Sequence, residues 1–108
     1  MISAHRRRAL RLIDRHYADP MFDVERLVAM MGLSDRYLQR IFAAHNETCS
    51  EVLRDRRIRE ARLLLGSRRS SGIMVSQVGY AVGFSDPAHF SRVFRNSVGC
   101  APRDYGSA

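Results

Sequence analysis

Two four-residue boxes constrain this chain more than anything else in it: Gly32-Leu33-Ser34-Asp35 and Gly83-Phe84-Ser85-Asp86, 51 positions apart. Each follows a short apolar run, and the match extends outward, because Val24, Leu27 and Met31 recur as Val75, Val78 and Val82 at the same offset. Beyond the boxes, Leu38, Arg40, Ile41 and Phe42 recur as Phe90, Arg92, Val93 and Phe94, one position further apart. The second copy therefore carries one extra residue just after its box. A repeat in so short a chain sets the architecture, since one supersecondary unit has been made twice.

Apolar spacing and punctuation show what that unit is. Positions 3–18 put Ala9, Leu12, Ile13 and His16 on one face and stop at Asp19-Pro20, as an amphipathic packing helix does. Asp23 caps a short helix with Val24, Leu27, Val28 and Met31 inside, and Gly32 supplies the positive φ of its C-terminal turn. Ser34 restarts the chain as an N-cap, with Tyr37, Leu38, Ile41 and Phe42 as the inner stripe of the next helix and Asn46 as its left-handed end.

Thr48-Cys49-Ser50-Glu51 has the form of a capping box and opens a long helix to about Leu65. Gly66 to Gly72 reads as a flexible loop. The second copy follows: a short helix over about 75–82, a turn at Gly83-Phe84-Ser85, and a helix entered through Asp86 and Pro87 and ended by Gly99. Pro102 to Tyr105 form a terminal turn or short helix. The expectation is an all-α fold of seven helices without strands: a first unit over 1–46, a linker helix over 48–65 and a second unit over 73–108.

Such a unit, a helix, a tight turn and a second helix held at a fixed angle, is a helix-turn-helix. It requires a small residue where its two helices cross, a glycine at the turn and an apolar inner stripe on the outer helix. Gly79 meets the first requirement in the second copy, while Val28 is bulkier in the first. With that geometry the outer helix can enter a DNA major groove ~12 Å wide.

Charge agrees with such a partner. There are 18 basic side chains, all arginine, against 11 acidic ones, giving net +7 and a pI near 10.7. That balance favours a polyanion and says nothing about fold. A length of 108 residues is one domain or two very small ones and leaves no room for a large catalytic cleft. No apolar run approaches the ~20 residues of a membrane span, and a membrane-surface protein would need an exposed apolar face that the pattern lacks. Cys49 and Cys100 lack CxxC spacing and suit a reducing cytoplasm. His5, His16 and His45 have no partners at metal-ligand spacing. No enzyme activity, cofactor or metal is expected.

The residues also carry a specific resemblance. The chain resembles the DNA-binding domain of the AraC/XylS family of bacterial transcription regulators, through Arg57-Ile58 and Ala61 in the linker helix. The resemblance continues along Tyr80-Ala81-Val82-Gly83-Phe84-Ser85-Asp86-Pro87-Ala88-His89-Phe90-Ser91-Arg92-Val93-Phe94 and Gly99-Cys100-Ala101-Pro102-Arg103-Asp104-Tyr105. It implies double-stranded DNA as the partner, with both outer helices in successive major grooves on one side of the duplex. A linker helix of about 16 residues, ~24 Å long, makes the ~34 Å between successive groove turns reachable.

Carried over by position, the resemblance implies base reading by Arg36, Gln39 and Arg40 in the first unit and by Ala88, His89 and Arg92 in the second. Ser34, Tyr37, Ser85, Ser91 and Arg95 are implied as backbone or groove-wall contacts. Arg40 and Arg92 are equivalent in the duplication. Pro87 and Ala88 leave the front of the second helix poor in donors, so the first unit should read sequence more stringently.

The resemblance further implies an activator, RNA polymerase as a second partner, and a cytoplasmic, nucleoid-associated location in a bacterium. It also implies an N-terminal domain outside this chain for effector sensing and dimerisation, leaving the chain itself monomeric. Three positions depart from the family pattern. Met74 stands where a capping serine or threonine is usual, so the helix after the loop should fray or start late. Asn46 replaces a glycine, and Gly106 replaces an arginine. Arg57 is expected to be structural, tying the linker helix to a neighbouring unit, while Arg6-Arg7-Arg8, Arg54, Arg56 and Arg59 are expected on solvated faces, with a phosphate contact open to one of the first three.

Overall fold

The computed structural model describes residues 2–106, and every regular element among them is helical. In chain order these are α1 (Ile2–His16), α2 (Val24–Met31), α3 (Asp35–Ala43), α4 (Cys49–Gly66), α5 (Arg68–Ser71), α6 (Val75–Ala81) and α7 (Pro87–Val98), followed by a 3-10 turn at Pro102–Asp104. Position 1 of the first unit and positions 107 and 108 of the second lie outside the described residues.

Most boundaries are made by the residues expected to make them. The Asp23 carboxylate accepts from the Arg26 amide, the Ser34 hydroxyl from that of Tyr37 and the Thr48 hydroxyl from that of Glu51. Each satisfies an N–H that has no partner in the first turn of its helix. Gly32, at φ 66, ends α2, and Asn46, at φ 58, is the only non-glycine with positive φ among the described residues. The Glu47 amide reaches back to the Phe42 carbonyl at 3.1 Å, closing the turn that Asn46 makes possible.

Two expectations are corrected. The stretch expected as a flexible loop contains a full turn of helix, α5. Ser67 and Ser70 hydroxyls bond backbone carbonyls there, and the Arg68 guanidinium donates to the Arg103 carbonyl at 3.2 Å. The total of seven α-helices stands because α5 takes the place of the terminal segment, which is a 3-10 turn. Finally, α6 neither frays nor starts late. Met74 gives it no side-chain cap, but Gln77 reaches back and its Oε1 accepts from the Met74 amide at 2.8 Å, half of a capping box.

Two apolar cores lie along one long helix. The first gathers Ala9, Ile13, Phe22, Leu27, Met31, Leu38, Ile41 and Phe42 with Cys49 and Leu53 from the start of α4. The second gathers Val78, Val82, Phe84, Phe90 and Phe94 with Ile58, Ala61 and Leu65 from its end. Helix α4 is thus a shared wall whose apolar face is divided between two units, and Tyr17 packs against both cores. The chain's tail closes the second core: Tyr105 packs edge-on against Phe94 at 5.5 Å and accepts a hydrogen bond from Arg62 Nε at 3.1 Å. The molecule is elongated, 44 × 24 × 22 Å.

Candidate nucleic-acid interface

The outer helix of the first unit, α3, buries Leu38, Ile41 and Phe42 completely. Helical geometry then forces Arg36, Gln39 and Arg40 outward, and all three are exposed. Ser34 is exposed at the entrance. Tyr37 is half-buried, its ring edge-on to His5 of α1 at 5.7 Å. Gln39 is held in place, because its Nε2 donates to Asp35 Oδ2, one turn earlier, at 2.9 Å. This i, i+4 pair was readable from the sequence and passed over.

The outer helix of the second unit, α7, repeats the design with Phe90 and Phe94 inside. Ala88, His89, Arg92 and Arg95 are exposed and Ser91 is half-buried. The extra residue shifts the helix start by one position, so Asp86, whose carboxylate accepts from the Ala88 amide at 3.1 Å, is the counterpart of the Ser34 cap. Ser85 stands exposed one residue outside the helix, and a carboxylate rather than a hydroxyl sits at this N-terminus. In this register Arg36, Gln39 and Arg40 correspond to Ala88, Ser91 and Arg92. His89 falls at the place of Tyr37, with its ring edge-on to Phe84 at 5.7 Å.

The two helices border one concave side. A cleft of about 650 Å³ lies along Arg36, Gln39 and Arg40, and its far wall is Val24 and Ser50. Those two residues also line a cleft of about 320 Å³ that reaches His89 and Val93 of α7 through Arg54. Arg54 and Val93 in turn open onto a third, of about 230 Å³, with Asn96 and Ser97. Arg92, three positions from His89 and four from Asn96, adjoins this lining, and Arg95 lies further round α7. Ser50 and Arg54, on α4, therefore stand between the two outer helices. Periodicity could place Arg54 on a polar face of α4 but not show which way that face looks.

The charge of this side is mainly basic, although Glu47 lines the first cleft and Asp23 the second. Arg36, Arg40, Arg92 and Arg95 make no ion pair among the described residues, and Arg54 has only Asp55, at 4.0 Å. Two arginines expected on solvated faces are instead half-buried and paired with acids: Arg6 with Glu47 at 2.9 Å, and Arg56 with Asp14 at 2.6 Å and Glu60 at 3.4 Å. Burial, and then the Asp35 charge, push the Cys49 thiol behind the first cleft up to about 11. It carries no thiolate at neutral pH.

The two units meet at a joint around Arg57, half-buried on α4. Its Nε donates to the Tyr17 carbonyl at 2.8 Å. Its Nη2 donates to the carbonyls of Phe22 at 2.8 Å and Asp19 at 3.2 Å, and its guanidinium carbon lies 6.0 Å from the Phe84 ring centre. Burial lowers its pKa, with Asp19 and Asp23 opposing, but an arginine keeps its charge. At Gly83 a Cβ would run into the Tyr17 carbonyl oxygen and stand 2.7 Å from Arg57 Nε, and φ is 104 there. The turn glycine of the second unit is thus also the contact point with the first. The expectation that Arg57 ties the linker helix to a neighbouring unit holds, and it reaches both units.

Two helix-turn-helix units on one scaffold, each presenting an exposed outer helix to the same side, define a double helix-turn-helix domain. A family model described as "Helix-turn-helix domain" matches residues 27–108. The chain belongs to the AraC/XylS-type helix-turn-helix domain family. It is 34% identical to the Arabinose operon regulatory protein of Escherichia coli over 102 residues, 92% of this chain and 33% of that protein. It is 36% identical to the HTH-type transcriptional regulator GlxA of Rhizobium meliloti over 77 residues, 70% of this chain and 23% of that one. The chain thus spans a third or less of the length of these curated relatives. Among solved structures, an AraC-type transcriptional regulator from Chromobacterium violaceum aligns with TM-score 0.78 and 28% identity, covering 92% of this chain and 86% of that one. The C-terminal domain of AraT, a response regulator from Geobacillus stearothermophilus, shares the fold with TM-score 0.86 at 24% identity, covering 94% and 82%.

Proposed function

We propose that this chain is the sequence-specific DNA-binding part of a bacterial transcription regulator, an activator, and that α3 and α7 enter successive major grooves on one side of a duplex. The observation that carries this reading is the pairing of two exposed, arginine-bearing outer helices on one concave side, with Arg40 and Arg92 at equivalent positions. The long dimension of 44 Å accommodates the ~34 Å between groove turns.

In this reading Arg36, Gln39 and Arg40 read bases in one groove and Ala88, His89 and Arg92 in the next. Arg40 and Arg92 each have the planar fork that bonds a guanine edge with two parallel hydrogen bonds. Ser34, Tyr37, Ser85, Ser91 and Arg95 contact the backbone or groove wall, and Arg54 adds a phosphate contact between the grooves. The first helix offers three polar readers where the second begins with Pro87 and Ala88, so the bound site is asymmetric. The chain acts without catalysis, as a monomer in the bacterial cytoplasm at the nucleoid. Its parent protein also engages RNA polymerase and carries effector sensing and dimerisation in a separate N-terminal domain.

Selection of duplexes from a random pool tests the core of this reading. The expected product is a site of about two helical turns with more constrained positions at one end, and with affinity that falls steeply as salt rises. Equal affinity for selected and scrambled duplexes at every salt concentration would overturn it.

A further inference from the structure

We infer that the Arg57 joint makes this domain measure spacing: it holds the two outer helices at one separation and one angle, so that a duplex is recognised only when its two half-sites are correctly phased. The inference rests on the two-groove reading and adds to it a residue that decides specificity without touching DNA.

Three segments distant in sequence converge on one side chain. The connection between α1 and α2 supplies three carbonyls, those of Tyr17, Asp19 and Phe22. Helix α4 supplies the guanidinium, and the turn of the second unit supplies Gly83 and Phe84. Tyr17 is held from another side as well, since the neighbouring Arg56 guanidinium lies 4.1 Å from its ring centre and is itself bonded to Asp14. Each unit packs on α4 through its own core, and what resists the units turning against each other is direct contact between them. The meeting of Gly83 with the Tyr17 carbonyl, locked by the fork of Arg57, supplies that contact.

Consequences follow from duplex geometry. Inserting one base pair between half-sites moves the second half by about 3.4 Å and turns it by roughly 35°. A hinged pair of units could follow such a change, whereas a locked pair loses the contacts of one helix. Arg57 is therefore a positioning residue, and its effect is read in a ratio between duplexes rather than in affinity for one.

The test uses the duplex selected for the wild-type chain and two derivatives with one base pair added or removed between the half-sites. The wild type should lose about tenfold or more on either derivative, the scale of losing contacts to one or two base pairs. Arg57→Ala should bind the parent duplex only a few-fold more weakly and lose no more than about twofold further on the derivatives. Arg57→Lys, which keeps the charge but not the fork, should fall between; it also serves if the alanine variant does not fold, with folding followed by circular dichroism. Independent tumbling of the two units in the variants, seen by NMR relaxation, should accompany the relaxed spacing. Folded variants that discriminate spacing as sharply as wild type would overturn the joint's role while leaving two-groove binding intact. A wild type indifferent to spacing would overturn both, and a wild type with no sequence preference would overturn the proposed function itself.

Discussion

Gly79 of α6 lies so close to Phe90 of α7 that a Cβ built on it would stand 2.8 Å from the ring's Cδ2 and 3.0 Å from Cγ. Both residues are buried, Phe90 completely, and Cγ and Cδ2 lie near the base of a ring that its core neighbours hold. Replacing glycine by alanine inside a helix normally gains up to ~1 kcal/mol, but forcing a methyl into a packed core costs ~1–3 kcal/mol. The steric term wins. Gly79→Ala should lower stability by ~1–2 kcal/mol in urea unfolding and weaken protection of the α7 half-site in footprinting. Val28→Gly, the reciprocal change in the first unit, loses helix propensity without relieving a clash and should not stabilise.

Arg40→Ala and Arg92→Ala should each reduce specific binding by ~1–3 kcal/mol, the scale of a bidentate base contact. Each should relax preference only at the base pairs of its own half-site. Repeating the selection with each variant checks this, and an unchanged consensus for both would remove α3 and α7 as readers.

Arg54→Ala should behave differently. A phosphate contact carries no sequence information, so affinity should drop about equally on all duplexes. The slope of log K against log salt should shrink by about one unit. A change in consensus instead would reassign Arg54 to base reading.

Met74→Ser should stabilise the protein. The Gln77 half of the box is already formed, Met74 is largely exposed at 63%, and a serine hydroxyl there can accept from the Gln77 amide. The gain expected for a new N-cap is ~1 kcal/mol, seen as a higher Tm and slower amide exchange in α6. No gain would mean that the backbone at 74 cannot place the hydroxyl.

Cys49 makes stability depend on alkaline pH. Burial, and then the Asp35 charge, push its thiol from an ordinary 9.0 up to about 11 in the fold, so the protonated form is the one the fold favours. Between those values the unfolded chain releases a proton that the folded chain keeps, and stability falls as pH rises through that window. Below about 9 the contribution is fully present. Cys49→Ala should lack this part of the alkaline slope in denaturant titrations. At pH 7–8, alkylation should modify the half-exposed Cys100 well before Cys49; equal rates would contradict the burial of Cys49.

How far the sequence could be read followed the range of the interactions involved. The caps at Asp23, Ser34 and Thr48, the left-handed turns at Gly32 and Asn46, and the inner stripes of α3 and α7 depend on residues within one or two helical turns, so pattern sufficed. Gly79 was legible because the repeat marked the crossing. The helical turn α5 was missed because serines and glycines there read as a loop. What stabilises it includes Arg68 bonded to a carbonyl 35 positions away, which no local pattern contains. Exposure of Arg36, Gln39, Arg40 and Arg92 followed from the buried stripes beside them.

By itself the sequence determined that there are two units, which helix of each is the outer one, and which side chains that helix turns outward, because periodicity and capping are local. Only the tertiary structure decided how the units stand to each other. That Arg54 looks into the space between α3 and α7, and that Arg57 gathers Tyr17, Asp19 and Phe22 while Gly83 abuts Tyr17, depends on the direction in which a long helix leaves one core and enters another. That direction is set by how two separate cores pack on α4, and by contacts between residues as far apart as Tyr17 and Gly83 that no periodicity encodes.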